Sequence, residues 1–273
     1  MHDMQVGDIV IYPSKIDRYV NIGQVTGEYD YVEGDEHGYP NQRSVQWLGH
    51  FPRDQFRQVA LNEIGSAMTQ FRVRRNVAEF LSKVGLAVCS EIEDDPVLED
   101  VIADIFEEVD DETAMATVIA QASETTSDLI IKTLHGDIDG YEFEHFVAHI
   151  LECMGYAARV TPKSGDGGVD VIAHKDELGF EPPIIKVQCK RRTESTSDKE
   201  VSQLLGTLGD GEFGLFVNLG SYSRPARILE RNKSKLRLID GEELVGLILL
   251  HYEKMSPRYR SLIPLKQVYI PDL

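Results

Sequence analysis

The sequence predicts an α+β multidomain chain. It reads as a small N-terminal β-barrel over residues 1–75, an acidic helical middle over 76–134, a C-terminal α/β domain with a mixed sheet over 135–255, and a tail over 256–273. Three observations predict this. Short apolar/polar alternations punctuated by glycine fill the N-terminal quarter. A broad apolar stripe with acids opposite it fills the middle. From residue 135 onward helical and strand patterns alternate, as in a sheet covered by helices.

In the first region "GDIVIYP", "IGQVTGEYDYV" and "RSVQWLG" are strand-like, with Ile22, Gln24 and Thr26 alternating against Gly23, Val25 and Gly27. Turn residues such as "EGDEHGYPN" separate the runs, the pattern of a small barrel or sandwich. In the middle, "NVAEFLSKVGLAV" places apolar residues on one helical face. "DPVLEDVIADIFEEV" opens with Asp95 as a cap and Pro96 at the first helical position. "DETAMATVIAQAS" reads as a third helix. In the last region "GYEFEHFVAHILECMGY" is an amphipathic helix ending at Gly155, suited to a left-handed cap. Strands at 156–161, "GVDVIAH" and "IIKVQCK" follow, then helix, strand, helix, strand and helix through "GEELVGLILLHYEKM".

Composition narrows the function. The 273 residues are 42% hydrophobic, enough for one large or two smaller packed domains. No apolar run approaches the ~18–20 residues that span a bilayer, and the N-terminal stretch lacks a secretory pattern. A cytoplasmic protein with no membrane partner is expected. Cys89, Cys153 and Cys189 are isolated, which fits a reducing compartment and excludes a disulfide frame or cysteine zinc site. The net charge is −18, but fourteen acids lie between Lys83 and Lys132, where no Lys or Arg occurs; without them the rest carries −4. Acidity so localised is compatible with a nucleic-acid partner. It reads as a spacer face, an oligomerisation element or a mimic of nucleic-acid charge.

The stretch "SGDGGVDVIAHKDELGFEPPIIKVQCKRR" carries the chemistry. Strand alternation points Gln188 and Lys190 one way and Cys189 the other. Asp170 follows a glycine-rich turn shaped by Asp166, and lies across from Gln188 and Lys190 if the two strands pair. Phosphodiester hydrolysis needs such a set: oxygen ligands for a hard divalent cation, and a group that orients a water. Asp170 would be the main ligand, with the Gln188 amide oxygen, the Cys189 carbonyl and Glu144 of the preceding helix as further ligands. Lys190 would position the water or stabilise developing charge. Arg191 and Arg192 could hold phosphates, as could Ser221 and Arg224 near a helix start. His145 and His149 share zinc spacing but have no third ligand, so a solvated helix face is expected.

"FEHFVAHILECMGY", "SGDGGVDVIA", "VQCKRR" and "GLFVNLGSYSRPA" stand in the order and spacing of Mrr-type restriction endonucleases, and the chain resembles this branch of the PD-(D/E)xK nucleases over roughly 135–250. The resemblance implies Mg²⁺-dependent cleavage of double-stranded DNA, with Mn²⁺ as the alternative cation, often restricted to modified foreign DNA such as that of phage. It maps the catalytic set to Glu144, Asp170, Gln188 and Lys190, with Gln in place of the superfamily's usual carboxylate. A homodimer or transient pairing is expected for two-strand cleavage.

Residues 4 to about 60 resemble the small barrels of the EVE/PUA group through "VGDIV", "IGQVTGEYDY" and "RSVQWL". Such barrels hold a flipped modified base, read by stacking and edge contacts. Tyr29, Tyr31 and Trp47 are the candidate walls, with Asp30 or Arg43 as polar readers. Trp47 is expected to fill the barrel core. The competing functions are a nuclease gated by a nucleotide second messenger, and a catalytically idle DNA-binding module.

Overall fold

A computed structural model describes residues 4–33, 39–65, 71–86, 111–162, 168–176, 178–179, 181 and 183–267. The chain divides into two compact units, one ending at Thr126 and the other beginning at Ser127.

In the first unit, β1 (Ile9–Pro13), β2 (Tyr19–Val25), the short β3 (Asp30–Tyr31) and β4 (Asn41–Gln42), and β5 (Val45–Pro52) precede α1 (Gln58–Ile64) and α2 (Val77–Lys83). β1, β2 and β5 form an antiparallel sheet in the order β1-β2-β5, and β3 pairs only with β4. Among the described residues these strands do not close a barrel. The alternation holds as far as Val20 and Ile22, which point into a core with Phe56, Ala60, Leu61, Ile64 and Phe80; a register shift at Ile22/Gly23 then breaks it, and Val25, expected on the opposite face from Ile22, is buried as well. Closure depends on strand pairing, which alternation does not specify. The helices α1 and α2 cover the sheet instead. α1 lies within a region expected to be all strand; its seven residues present Ala60, Leu61 and Ile64 to the core. Phe80 of α2, read as part of the acidic middle, belongs to this same core.

Trp47 is not in the core: it is 56% exposed. It lies opposite Gly23, where a Cβ would come within 2.9 Å of the indole. Glycine therefore lets the ring approach the β2 backbone closely.

The helix α3 (Asp111–Gly136) extends well past the expected "DETAMATVIAQAS". In the first unit Gln121 Nε2 donates to the Asn62 carbonyl and Glu124 pairs with the buried Arg53. In the second, Ile130, Ile131 and Leu134 enter the main core. The expected helix at 95–109 and the Asp166 turn lie outside the described residues.

The second unit follows the predicted order: α4 (Gly140–Cys153), β6 (Ala157–Val160), β7 (Val171–His174), β8 (Ile184–Lys190), α5 (Asp198–Leu205), β9 (Glu212–Asn218), α6 (Arg224–Asn232), β10 (Leu236–Ile239) and α7 (Gly241–His251). Asp139 caps α4 by accepting from Glu142 N–H at 2.7 Å, and Gly155 ends it at φ +95°. The sheet order is β10-β9-β8-β7-β6, with β6, β7 and β8 antiparallel and β8, β9 and β10 parallel. One face packs Phe143, Phe146, Val147 and Ile150 of α4 and Leu244 and Ile248 of α7 against Val187, Cys189 and Val217. The other packs Val201 and Leu204 of α5 and Ala226 of α6 against Phe216 and Leu238. This is the expected mixed sheet with helices on both faces. Residues assigned to a tail contain α8 (Pro257–Leu262), whose Tyr259 packs edge-on to Phe146. Among the described residues no helix is long and apolar enough to cross a membrane.

Candidate active site

The antiparallel register of β7 and β8 pairs Val171 with Val187, so Asp170 stands across from Gln188. Its backbone N–H donates to the Val187 carbonyl at 2.8 Å, and its carbonyl accepts from Thr161 N–H at 2.9 Å. The Asp170 carboxylate accepts from the Cys189 N–H at 2.7 Å. The alternation of backbone polar groups along a strand sends the Cys189 carbonyl toward the same side as that N–H. Burial raises the Asp170 carboxyl pKa above the usual range, opposed by the Cys189 N–H and by the charge of Lys190. Asp170 and Lys190 are thus electrostatic neighbours, as the spacing predicted.

Gln188 is 6% exposed, and its amide oxygen is buried without a hydrogen-bond partner among the described residues. A buried carbonyl oxygen left in this state costs free energy unless something occupies it. Gly168, at φ +89°, lies against this amide, and a Cβ there would sit 3.2 Å from Gln188 Nε2. The glycine therefore leaves room for the Gln188 side chain. The donor set around Asp170 is all oxygen: a carboxylate, an amide oxygen and a backbone carbonyl. That set fits a hard divalent cation such as Mg²⁺. Among the described residues no group of three or more His, Cys, Asp or Glu side chains forms a metal site. A cation here would rely on the neutral oxygens.

Cys189 points into the core, 8% exposed, as alternation required. Its thiol pKa is pushed well up by burial, then by Asp170 and Glu144, with Lys190 acting oppositely. Half-buried Glu144 on α4 thereby joins the electrostatic surroundings of the set.

The flanking basic residues have other partners. Arg191 donates to the His135 carbonyl at the end of α3. Arg192 grips both oxygens of Glu200 at 2.7 Å and donates to Thr196 Oγ1 at 3.2 Å. Ser223, rather than Ser221, caps α6 by accepting from Ala226 N–H at 3.3 Å. Ser221 lies in the preceding loop and Arg224 is exposed at the helix start. His149 Nε2 accepts from Ser256 N–H at 3.0 Å, fastening the chain before α8 rather than a metal.

Sequence reasoning passed over Asn218. It is fully buried and pairs with Lys190 across the parallel β8–β9 ladder, which puts both side chains on one face. Its signal was a lone amide ending the apolar strand "GLFVN".

Residues 135–248 match the family model described as restriction endonuclease, Mrr_cat. The matched residues lie within the second unit. Residues 1–74 match a family described as a domain of unknown function (DUF8426). The type IV methyl-directed restriction enzyme EcoKMrr of Escherichia coli (strain K12) is 28% identical over 123 residues, 42% of this chain and 40% of that protein. The chain thus spans about 40% of the length of this curated relative. Among solved structures, the MspJI restriction endonuclease in complex with a 27-mer oligonucleotide has a TM-score of 0.41 at 24% identity, covering 50% of this chain and 34% of that one. The DNA modification-dependent restriction endonuclease AspBHI has a TM-score of 0.40 at 18% identity, covering 51% and 38%.

In the first unit, the Tyr29 hydroxyl donates to Asn41 Oδ1 at 2.7 Å, while Asp30 and Tyr31 are exposed on β3. Arg43 donates to the Gly27 carbonyl at 3.3 Å. These residues and Trp47 offer aromatic and polar groups at the surface.

Proposed function

We propose that the chain is a Mg²⁺-dependent endonuclease that cuts double-stranded DNA, with Mn²⁺ able to substitute, in modification-dependent restriction of foreign DNA. The observation that carries this reading is the buried Gln188 oxygen, which has no hydrogen-bond partner among the described residues, on a residue that stands across from Asp170 and shares a strand with Lys190, within the segment that matches restriction endonucleases. Asp170, Gln188, the Cys189 carbonyl and Glu144 would hold the cation. When bound, it neutralises the scissile phosphate and makes a bound water more acidic. The Cys189 N–H fixes the Asp170 carboxylate. Lys190 orients the attacking water and stabilises charge developing on the phosphate. Arg191, Arg192, Ser221 and Arg224 stand in reserve as phosphate contacts.

The first unit is the reader, with Trp47, Tyr29, Tyr31 and Asp30 receiving a flipped base. Exposed Trp47 on its glycine platform supports this. A cytoplasmic homodimer or transient pair fits the free, buried Cys153 and Cys189 and the need to cut two strands.

The test is cleavage of matched plasmids, unmodified, cytosine-methylated and hydroxymethylated or glucosylated, with Mg²⁺ or with chelator. Cutting of a modified plasmid only, abolished by chelator and by Lys190→Ala or Asp170→Asn, is the expected result. Equal cutting of all plasmids removes the reader role. No cutting of any removes the modification-dependent nuclease and leaves a nucleotide-gated enzyme or a DNA-binding module.

A further inference from the structure

The β1–β2 hairpin of the first unit ends in a tip that the sites assigned above do not use. Residues 14–18, "SKIDR", join Pro13 to Tyr19. Tips of this kind ordinarily carry Gly, Asn, Asp or Ser. Here the middle residue is Ile16, 93% exposed, the most exposed large apolar side chain among the described residues. A single isoleucine at a surface is ordinary. This one is held out by a fixed frame. Ser14 is buried, and its N–H donates to the Tyr19 carbonyl at 2.8 Å, closing the loop. The Asp17 carboxylate accepts from Tyr19 N–H at 3.2 Å and faces His50 Nε2 at 3.8 Å. The His50 ring stacks on Tyr19 with centroids 4.0 Å apart. The Arg18 carbonyl accepts from Arg53 N–H at 3.2 Å. Among the described residues Arg18 is the one non-glycine with a positive φ, +58°, a conformation that persists where the surroundings over-determine it. His50 follows Trp47 by three residues on β5, so the tip is fastened to the strand that carries the exposed indole. Exposed Lys15 precedes Ile16, and Arg18 follows it by two residues.

A braced apolar tip between two cations suits a nucleic-acid duplex. Its phosphates complement Lys15 and Arg18, and the step between two base pairs accepts an apolar wedge at the cost of local unstacking. We propose that the 14–18 tip is such a wedge: Ile16 enters the stack beside the modified base and fills the space that this base leaves, while Lys15 and Arg18 hold the flanking phosphates. This wedge rests on the reading of the first unit as a reader, and it supplies the element that displaces the base. Trp47, Tyr29, Tyr31 and Asp30 receive what Ile16 expels.

The experiment uses the full chain in chelator, so that no strand is cut. The probes are duplexes bearing 5-methylcytosine, 5-hydroxymethylcytosine or its glucosylated form, with 2-aminopurine as the neighbouring base. A second set carries an abasic site opposite the modified base. Wild type should raise the 2-aminopurine fluorescence of a modified, fully paired duplex as that neighbour loses its stacking. Ile16→Ser should abolish the rise and weaken binding of the paired duplex about tenfold, with little change on the abasic duplex, whose stack is already open. Its Tm should match that of wild type, since the side chain is exposed. Lys15→Gln should weaken both duplexes alike and lower the slope of log affinity against log salt by about one; an unchanged slope overturns the phosphate contact. An Ile16→Ser variant that keeps the fluorescence rise, or that loses the same affinity for both duplexes, overturns the wedge. So does an altered sedimentation of this variant without DNA, which makes the tip a contact between copies of the chain. Wild type that binds no duplex, or binds without unstacking, refutes the reader reading itself.

Discussion

In the proposed site, position 188 offers a divalent cation an amide oxygen rather than a second carboxylate. Burial already raises the Asp170 pKa. A second carboxylate nearby would add like-charge repulsion in the absence of metal. Glutamine supplies an oxygen without that cost, at the expense of weaker cation binding. Gln188→Glu should therefore lower the Mg²⁺ concentration that half-saturates binding by about tenfold, read by calorimetry on the full chain. Unchanged affinity would remove residue 188 from the ligand set. Gly168→Ala should cut activity and Tm together, because the new Cβ meets both an unfavourable φ and the Gln188 amide. Wild-type cleavage by this variant would show that the Gln188 position is not constrained by the turn. The shared face of Gln188 and Lys190 was legible from strand alternation, and the place of Asp170 across from them from the pairing of two consecutive strands. Asn218 was not, because its neighbour lies across a parallel pairing reached only after an intervening helix. Trp47 misled for a related reason: alternation separates the two faces of a sheet without saying which one is covered.

Elements that carry their own stop signals were the easiest to read. Asp139 before α4, Gly155 after it and the Ser197–Glu200 capping box of α5 each punctuate the chain locally. The seven-residue α1 has too few turns to announce a period, and it took residues expected to build a barrel. α1 and α2 are tied through Glu63. Burial works to raise its carboxyl pKa, but the N–H groups of Arg75 and Arg74 and the Asn76 side chain and N–H bring it below the usual value. A depressed folded-state pKa contributes stability that is present above the unfolded value of about 4.3 and is lost as pH falls through the folded value. Acid titration of the N-terminal unit, followed by Trp47 fluorescence, should show this loss below about pH 4. Glu63→Gln should lower Tm at neutral pH and narrow its gap to wild type in acid. A gap that is constant from pH 7 to pH 3 would contradict the assignment. The Arg192–Glu200 clamp makes a parallel point about the C-terminal end of β8. Arg192→Met should cost stability before it costs DNA affinity, as unfolding and binding measured side by side would reveal.

The whole molecule is electrically lopsided. Residues 1–126 hold 24 Asp and Glu against 9 Lys and Arg, whereas residues 127–273 hold 22 against 19. A polyanionic substrate is repelled by the first half and met almost neutrally by the second. Replacing six of the fourteen acids between Lys83 and Lys132 by Asn or Gln should raise cleavage of unmodified plasmid at low ionic strength. The gain should shrink as salt is added, since the Debye length falls from about 30 Å at 0.01 M to about 8 Å at 0.15 M. A gain that is independent of salt would point to lost packing rather than lost repulsion. The two-unit plan was partly visible in composition. The division within α3 was not, because a helix is continuous in pattern even where its residues enter different cores.

The inward face of β8 has a practical consequence. Cys189 stands between Gln188 and Lys190 in the strand, yet its side chain faces the core and burial pushes its thiol pKa well up, toward the neutral form. A thiol in that state reacts with alkylating agents and peroxide only when the strand itself opens. Its labelling rate, read by mass spectrometry against denaturant, thus becomes a clock for the opening of this sheet. The same shielding lets the strand that bears Gln188 and Lys190 pass through oxidative conditions chemically unmarked.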